Sequence, residues 1–342
     1  MTSKNVGIKE SFEMINGERV LVIGGGGYVG SRLVPALLRE GFVVEVYDLF
    51  WYGKFLPDDP NLRIIQGDVR DEALLRASVG RADSVIHLAC ISNDPSFELD
   101  SALGKSINYD SFIPLVEMVR ESNVRRFVYA SSSSVYGVKE GVVDESRSLE
   151  PLTDYSRFKM LCEQVLAERA GPDICWTVIR PATVCGYAPR QRLDVIVNIF
   201  VAQAMSQGVL TVFGGEQLRP NIHIDDMVDA YLAVLFAPED IVNRKTYNVG
   251  DLNHSVLTLA GMTKEVLASV REVELKIQSS TDNRSYHVSS ERIKEDLSFI
   301  PRRGIEKAMR DLATAIYCGA LIDPVNNPLY SNIKTLQEKG IC

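Results

Sequence analysis

The chain has 342 residues, of which 46% are hydrophobic and 24% are charged, an ordinary composition for a soluble globular protein. Its formal net charge of -8 argues against a surface for nucleic acid or anionic membrane, although a few local arginines can still bind an anionic small ligand. No apolar run reaches membrane-spanning length, the amino terminus lacks the apolar core of a signal peptide and the six Cys form no Cys-x-x-Cys pair, so we expect a cytoplasmic protein.

Strand-like apolar runs alternate with helical patterns through the first half of the chain, after a polar extension that we predict over residues 1–17. These strands are apolar throughout, which indicates a parallel sheet covered by helices on both faces. The predicted strands are Arg19–Ile23, Val43–Tyr47, Arg63–Gln66, Ser84–Leu88, Arg126–Ala130 and Trp176–Ile179. The predicted helices are Val29–Arg39, Glu72–Ser78, Leu103–Glu121 and Tyr155–Glu168.

A glycine-rich turn lies between the first strand and the first helix, in the order that the dinucleotide-binding fingerprint requires. Glycines let the backbone approach a pyrophosphate, whose charge then lies at the N-terminus of the helix. The alternative is a tight strand–helix turn without a ligand. The order predicts an α/β fold with a Rossmann-like, doubly wound parallel sheet. The predicted cofactor ligands in the turn are Gly24, Gly27, Tyr28, Val29 and Gly30.

Asp48 ends the second strand, 18 residues after Gly30. A carboxylate at this place accepts hydrogen bonds from both ribose hydroxyls and repels a 2′-phosphate. No Arg or Lys occurs in residues 49–53, so the sequence favours NAD over NADP as the cofactor. After the third strand, Asp68 and Val69 are predicted to contact the adenine, with a plain turn as the alternative.

Tyr155 and Lys159 are four residues apart, so they lie on one face of a helix, about one turn from each other. The lysine ammonium lowers the pKa of the phenol, and a bound oxidised nicotinamide lowers it further. This gives a base for a hydroxyl proton near neutral pH and indicates hydride chemistry at an alcohol or ketone. A run of serines over residues 131–134 ends the fifth strand, where one hydroxyl beside Tyr155 can hydrogen-bond the reacting oxygen. The alternative for this run is a polar turn.

With these motifs assembled, the chain resembles the extended short-chain dehydrogenase/reductase family, in its nucleotide-sugar epimerase/dehydratase branch. The resemblance runs from about residue 19 to residue 320. The motifs that match in order are GGGGYVG, the acid at Asp48, GDV, His87-Leu88-Ala89, SSSSVYG, YxxxK, Arg180-Pro181-Ala182-Thr183 and the stretch from Arg219 to Asp226.

The resemblance implies a catalytic set of Ser132, Tyr155 and Lys159, and cofactor contacts at Leu88 and Ala89. It implies that the tyrosine, as phenolate, takes a proton from a sugar hydroxyl, usually at C4, while the hydride of that carbon passes to NAD⁺. A 4-keto sugar results, and an epimerase returns the hydride to the other face. The resemblance also implies a homodimer, formed through the helices Leu103–Glu121 and Tyr155–Glu168.

One departure from the family pattern bears on the reaction. Sugar 4,6-dehydratases of this family carry Asp-Glu directly after the catalytic hydroxyl, where this chain has Ser133 and Ser134, so a 4,6-dehydratase is disfavoured. The leading prediction is an NAD-dependent nucleotide-sugar 4-epimerase. The alternatives are a nucleotide-sugar 4-dehydrogenase, for instance of GDP-heptose type, and a non-catalytic NAD-binding or NAD-sensing protein of the same fold.

The pattern of strands and helices loosens from Ala182 onwards. We predict an NAD-binding domain over residues 18–181, which carries the catalytic tyrosine and lysine. Residues 182–342 are predicted to be a smaller, mainly substrate-binding region that returns some chain to the Rossmann core.

Candidate ligands for a nucleotide-diphosphate sugar lie on both sides of this boundary. A guanidinium can bind two phosphate oxygens, and the resemblance supports two of four arginines, Arg219 and Arg284, more than the others. For any single arginine the alternative is a surface ion pair. For Ser92 and Asn93 the alternative is a turn that caps the next helix. The candidate set is Arg190, Arg192, Arg219, Arg284, Ser92, Asn93, Ser133 and Asn198.

Four histidines are scattered without metal-ligand spacing, so we predict no metal site. The expected partners are a nucleotide-diphosphate sugar and a second copy of the chain, with no nucleic acid and no membrane.

Overall fold

The computed structural model describes residues 17–279 and 287–341, so the extension predicted over residues 1–17 lies almost wholly outside the described residues. The strands are β1 (Arg19–Ile23), β2 (Val43–Asp48), β3 (Leu62–Gln66), β4 (Ser84–His87), β5 (Arg126–Ala130), β6 (Val142–Val143), β7 (Cys175–Pro181), β8 (Thr183–Cys185), β9 (Val209–Phe213), β10 (Leu218–His223), β11 (Lys245–Val249), β12 (Asn253–Ser255), β13 (Glu274–Gln278) and β14 (His287–Val288). The α-helices are α1 (Gly30–Arg39), α2 (Glu72–Val79), α3 (Asp94–Glu98), α4 (Ser101–Lys105), α5 (Phe112–Arg120), α6 (Asp154–Arg169), α7 (Ile196–Gln207), α8 (Ile224–Phe236), α9 (Glu239–Val242), α10 (Val256–Leu267), α11 (Glu291–Leu297), α12 (Gly304–Tyr317) and α13 (Asn332–Glu338). Short 3-10 helices span Ser133–Tyr136 and Pro328–Tyr330, and a π-helical turn spans Ser106–Asp110.

Seven parallel strands form the central sheet, in the order β11-β7-β5-β4-β1-β2-β3. Its inner strands β1, β4 and β5 are buried along almost their whole length, with one apolar cluster on each face of the sheet. Apolar strands covered on both faces are what a parallel sheet requires, and the predicted Rossmann-like α/β fold is confirmed. The direction of strand order reverses between β1 and β4, which opens a crevice at their carboxyl ends.

The stretch Leu103–Glu121 does not form the single helix that its apolar spacing predicts. It is divided into α4, a π-helical turn and α5. The turn carries Asn108, whose Oδ1 accepts a hydrogen bond from the N of Ile91 at 2.8 Å and whose Nδ2 donates to the O of Ile91 at 2.9 Å. Because a π turn inserts an extra residue, it can place one side chain differently from the rest of the helix. Here that side chain holds the loop after β4.

Beyond residue 182 the chain builds a further apolar cluster around α7, α10 and α12, apart from the two on the faces of the central sheet. Two small sheets accompany it, one of β12, β10 and β8 and one of β13 and β9. Several elements of this region return to the central sheet, among them α8, which packs into the apolar cluster on one sheet face. Strand β11 extends the sheet beside β7, and Leu336 of α13 packs, fully buried, into the apolar cluster on one sheet face.

Candidate active site

A cavity of about 360 Å³ lies at the carboxyl ends of the central strands. The glycine turn, the ends of β2, β4 and β5 and the N-terminal part of α6 form one side of it, and residues after β7 form the other. The predicted site residues that line the cavity are Gly24, Gly27, Tyr28, Val29, Gly30, Asp48, Val69, Leu88, Ala89, Ser92, Asn93, Ser132, Ser133, Tyr155, Lys159, Arg190 and Arg192.

The turn between β1 and α1 has no room for side chains at two of its glycines. Gly24 has a φ of +85°, and a Cβ there would lie 2.4 Å from the N of Ala89. A Cβ at Gly30 would lie 2.4 Å from the O of Gly25. Bare backbone at the N-terminus of a helix suits the pyrophosphate of a dinucleotide, so these residues fit NAD.

Asp48 lies at the end of β2, beside the glycine turn. Its Oδ2 accepts a hydrogen bond from the N of Gly26 at 2.9 Å, and its Oδ1 accepts one from the N of Phe50 at 2.6 Å. Burial raises the pKa of this carboxyl, while the two backbone donors and the charge of Arg190 act in the opposite direction. Each oxygen has further lone-pair capacity for a ribose hydroxyl, which fits the predicted role of Asp48.

Helix α6 carries Tyr155 and Lys159 along the cavity wall. Thr153 caps this helix in a capping box with Ser156, which fixes the first turn, where the tyrosine lies. Lys159 is 3% exposed, and its Nζ donates to the O of Ala130, at the end of β5, at 2.6 Å. The same Nζ lies 6.0 Å from the centre of the Tyr155 ring.

Opposing effects act on the pKa of Tyr155. Burial raises it well above the ordinary value, and the nearby Cys90 and Asp94 raise it further. The positive charge of Arg192 and a hydrogen bond with Ser132 lower it. From the sequence we expected the lysine one turn away to lower this pKa. In the structure that lysine is engaged with a backbone carbonyl, and the leading groups that lower the pKa come from other parts of the chain.

The serines after β5 differ in their surroundings. The Oγ atoms of Ser132 and Ser134 are 2.8 Å apart, and the N of Ser134 donates to the Oγ of Ser132 at 3.1 Å. Ser132 thereby caps the 3-10 helix that follows it, and this holds its hydroxyl beside the tyrosine. Ser133 is buried, with 4% of its surface exposed.

A buried polar network that was not predicted from the sequence supports the catalytic helix on the side away from the cavity. The hydroxyl of Ser131 donates to Glu163. Arg180 donates from Nε and Nη2 to the two carboxylate oxygens of Glu163 at 3.0 and 2.5 Å, and from Nη1 to the hydroxyl of Tyr136 at 2.7 Å. A signal was available, because Glu163 stands two helical turns after Tyr155, on the face that also carries the lysine.

At the other end of the cavity, hydrogen bonds converge on Ser92. Its Oγ accepts from Nη1 of Arg192 at 3.1 Å and from Nδ2 of Asn332 at 3.0 Å. Asn93 lines the cavity with a φ of +73°, and its Oδ1 accepts from the N of Ser96 at 2.9 Å, which is the helix-capping role given as the alternative. Asn332 also lines the cavity. It is not among the residues predicted from the sequence, because no local pattern marks a single asparagine near the carboxyl terminus.

Of the remaining predicted ligands, the three that the structure describes are not among the residues that line the cavity. Asp68 forms an ion pair of 2.6 Å with Arg70. Asn198 is fully buried, and its amide is hydrogen-bonded within the protein behind the wall. Arg219 lies on β10 in a small sheet. Arg284 falls within residues 280–286, outside the described residues.

Two of the histidines have roles within the fold. His87 stacks on Phe112 at a centroid distance of 5.4 Å, and burial lowers its pKa to about 3. The Nδ1 of His223 accepts from the N of Asp225 at 3.0 Å and caps α8. Within residues 17–279 and 287–341, no three His, Cys, Asp or Glu side chains are placed to hold a metal ion, and no helix is long and apolar enough to cross a membrane.

Comparison with known proteins gives a consistent set of relatives. A family model described as "NAD dependent epimerase/dehydratase family" matches residues 20–250. The UDP-glucose 4-epimerase of Lactobacillus helveticus is 29% identical over 276 residues, which cover 75% of this chain and 81% of that protein. A Bacillus subtilis (strain 168) protein named as the uncharacterized UDP-glucose epimerase YtcB is 32% identical over 269 residues, 72% of this chain and 82% of that protein.

The fold is also shared with solved structures. MoeE5, in complex with UDP-glucuronic acid and NAD, superposes with a TM-score of 0.78 at 27% sequence identity. The superposition covers 89% of this chain and 100% of the MoeE5 chain. The similarity therefore includes both the nucleotide-binding part of the chain and most of the region after residue 182.

Proposed function

The chain belongs to the NAD-dependent epimerase/dehydratase family, and on this premise we propose that it is a 4-epimerase of a nucleoside-diphosphate sugar. It is an NAD-dependent enzyme of nucleotide sugars. The observation that carries the finer proposal is one cavity that joins the cofactor cradle at Gly24 and Asp48 with Ser132, Tyr155 and Lys159. A hydroxyl oxygen bound beside the tyrosine and the serine would have both a base and a hydrogen-bond donor within reach.

The residues of the chain divide the proposed reaction among them. NAD, when bound, supplies a reversible hydride acceptor. Tyr155 takes the proton of the C4 hydroxyl as that carbon loses its hydride, which leaves a 4-keto sugar. Ser132 donates a hydrogen bond to the same oxygen, where charge develops, and Arg192 favours the phenolate form of the tyrosine. After the sugar has turned, the tyrosine returns its proton to the oxygen when the hydride reaches the other face.

The carboxylates around the cavity support an epimerase over a 4,6-dehydratase. Elimination of water needs an acid and a base beside the reacting hydroxyl. The two positions after Ser132 are serines, and among the described residues the acidic side chains that line the cavity are Asp48, at the cofactor turn, and Asp94. Asp94 accepts a hydrogen bond at 2.6 Å from the hydroxyl of Thr153, the cap of the catalytic helix.

UDP-sugars are the first substrates to test, because the similar proteins named above carry UDP-glucose or UDP-glucuronic acid in their names. Arg192 lines the cavity beside the catalytic tyrosine and is the described arginine that we propose as a ligand of the substrate diphosphate. Arg190 also lines the cavity, on the side of the cofactor turn. Arg219 and Arg284 stay predictions from the resemblance.

The test is a proton NMR time course with the protein, NAD⁺ and a panel of UDP-, GDP-, dTDP- and CDP-sugars. It reports the stereochemistry of the sugar and the redox state of the nicotinamide in one spectrum. We expect a new anomeric signal without net formation of NADH. A 4-keto product with an equal amount of NADH would replace the epimerase by a dehydrogenase.

A further inference from the structure

Asn332, the first residue of α13, joins parts of the cavity wall that are distant in sequence. It is 3% exposed and lines the cavity. Its Nδ2 donates to the Oγ of Ser92 at 3.0 Å, its Oδ1 accepts from Nη2 of Arg190 at 2.6 Å, and its backbone N donates to Oδ2 of Asp194 at 3.0 Å. The family match ends at residue 250, so the family pattern does not account for this residue.

The segment that carries Asn332 is fixed to the body of the protein. The hydroxyl of Thr335 donates to the O of Pro328 at 2.7 Å, and the N of Leu193 donates to the O of Tyr330 at 2.8 Å. Leu336 is fully buried in the apolar cluster on one face of the central sheet. Asn332 therefore begins a helix that is packed against the rest of the protein.

Arg190 lies on the cofactor side of the cavity. Its backbone N donates at 3.3 Å to the Oγ of Ser31, in the first turn of the helix after the glycine turn, and its guanidinium lies 4.0 Å from the centre of the Tyr52 ring. Asp48 is close enough for the charges to interact. The arginine is 2% exposed and its Nε has no hydrogen-bond partner. Burial lowers its pKa to about 10, so it is still cationic at neutral pH. A buried cation with an unused donor beside a dinucleotide cradle is suited to an anionic group of that ligand.

The bonds of Asn332 also reach the catalytic side. Ser92 accepts from Arg192, and Arg192 pairs through Nε with Asp194 at 2.5 Å. The backbone N of Asn332 donates to the other oxygen of that aspartate, which closes a ring of hydrogen bonds. One asparagine thus connects the cofactor side with the arginine that lowers the pKa of the catalytic tyrosine.

We propose that Asn332 is a positioning residue through which the C-terminal helix holds Arg190 against the bound dinucleotide and slows release of the cofactor. This inference rests on the proposed function, because an epimerase must return the hydride to the sugar before the reduced cofactor leaves. A dehydrogenase, by contrast, has to release NADH in each cycle.

The test measures release of NADH from the full-length holoenzyme by stopped-flow fluorescence, with excess NAD⁺ as the displacing ligand. Asn332→Ala removes the side-chain acceptor from a buried guanidinium. We expect release to become about tenfold faster, the effect of losing one hydrogen bond to a charged group. Asn332→Asp keeps an acceptor for Arg190 and should release NADH more slowly than the alanine variant.

Asn326→Ala is the matched control, because this exposed asparagine lies in the same segment and bonds to Asp323 at 3.0 Å, away from the cavity. It should release NADH at the wild-type rate. Thermal unfolding of each variant shows whether it is folded. If Asn332→Ala does not fold, Arg190→Lys replaces it, since it keeps the charge but not the planar donor group, and faster release then supports the proposal.

An unchanged release rate in folded Asn332→Ala, or in Arg190→Lys where that variant replaces it, overturns the proposal. A raised KM for the sugar with unchanged NADH release also overturns it and assigns Asn332 to the sugar side alone. The release measurement needs no turnover. A protein that retains NADH but epimerises no sugar of the panel would therefore contradict the proposed function. The effect of Asn332 on the release of NADH could still be measured in that protein.

Discussion

The acidity of Tyr155 depends on neighbours that come from three other segments of the chain. Burial and the adjacent Cys90 and Asp94 favour the neutral phenol, while Arg192 and Ser132 favour the phenolate. The apolar surroundings of the ring disfavour the charged phenolate, so they make the tyrosine a weaker acid. The positive charges around it are therefore needed for proton removal near neutral pH.

Replacement of Tyr155 by phenylalanine removes the base and keeps the ring. We expect turnover to fall by roughly 10²- to 10⁴-fold, the usual contribution of a general base, while NADH binding is retained. The NMR time course measures turnover, and the fluorescence of bound NADH measures cofactor binding. Tyr317→Phe is the control, because Tyr317 is 78% exposed. Wild-type turnover in Tyr155→Phe would show that another group is the base.

Arg192→Met should move the pH dependence of the reaction. The guanidinium lowers the pKa of Tyr155, so its removal raises that pKa, and a higher pH is then needed to form the phenolate. The acidic limb of kcat/KM against pH should shift to higher pH, measured with the epimerised sugar. Arg169→Met, at the exposed end of α6, should leave the limb in place. A shift of the acidic limb to lower pH in Arg192→Met would contradict the conclusion that Arg192 lowers the pKa of Tyr155.

At the scale of the element, helix α6 is held at three levels. Thr153 caps its start, Lys159 reaches the end of β5 one turn later, and Glu163 pairs with Arg180 of β7 after another turn. These contacts fix both the distance and the rotation of the helix relative to the sheet. The position of the catalytic tyrosine is therefore determined by the whole helix as well as by its own contacts.

Glu163→Ala tests the buried ion pair between Glu163 and Arg180. It leaves the guanidinium of Arg180 buried without its carboxylate, so we expect the free energy of unfolding to fall by about 3–5 kcal/mol. Urea unfolding of the holoenzyme measures this change. Glu168→Ala, on the exposed face of the same helix, should change it by less than about 0.5 kcal/mol. Equal effects of the two substitutions would show that the buried pair contributes little.

At the scale of the whole molecule, the active site is assembled from both regions of the chain. The central sheet supplies the cofactor turn and the catalytic helix, and residues after β7 close the cavity. The C-terminal helix then packs back against the central core. Loss of the C-terminal segment would therefore remove part of the cavity wall.

The family resemblance predicts a homodimer through the helical segments Leu103–Glu121 and Tyr155–Glu168, and light scattering is the direct measurement. We expect twice the 38.0 kDa mass of the chain. Ala167→Arg places a charge on the exposed part of α6 and should reduce the mass to that of one chain, because a buried unpaired charge opposes association. Ala320→Arg, at an exposed site outside the helices, should remain a dimer. A wild-type mass of one chain would contradict the prediction.

The sequence alone determined the parallel sheet, the glycine turn, the acid at Asp48 and the helix with Tyr155 and Lys159, because periodicity and short spacing are local properties. It did not reveal the π turn at Asn108, since that break depends on a contact with Ile91. It also placed Asp68, Asn198 and Arg219 among the ligands, although the structure brings none of them to the cavity lining. A polar residue type shows that a side chain is able to bind a substrate or cofactor. It does not show whether the strand or helix that carries the side chain directs it towards the cavity.

Only the tertiary structure brought Arg192 and Asn332 to the catalytic region. Ser92 and Asn332 are 240 residues apart in sequence and share a hydrogen bond of 3.0 Å. The pKa of Tyr155 is likewise decided by charges and burial that arise only when distant segments pack together. The chain's local patterns therefore specify which catalytic and cofactor-binding groups are present. The three-dimensional arrangement decides the pKa of the catalytic tyrosine and which distant side chains complete the cavity.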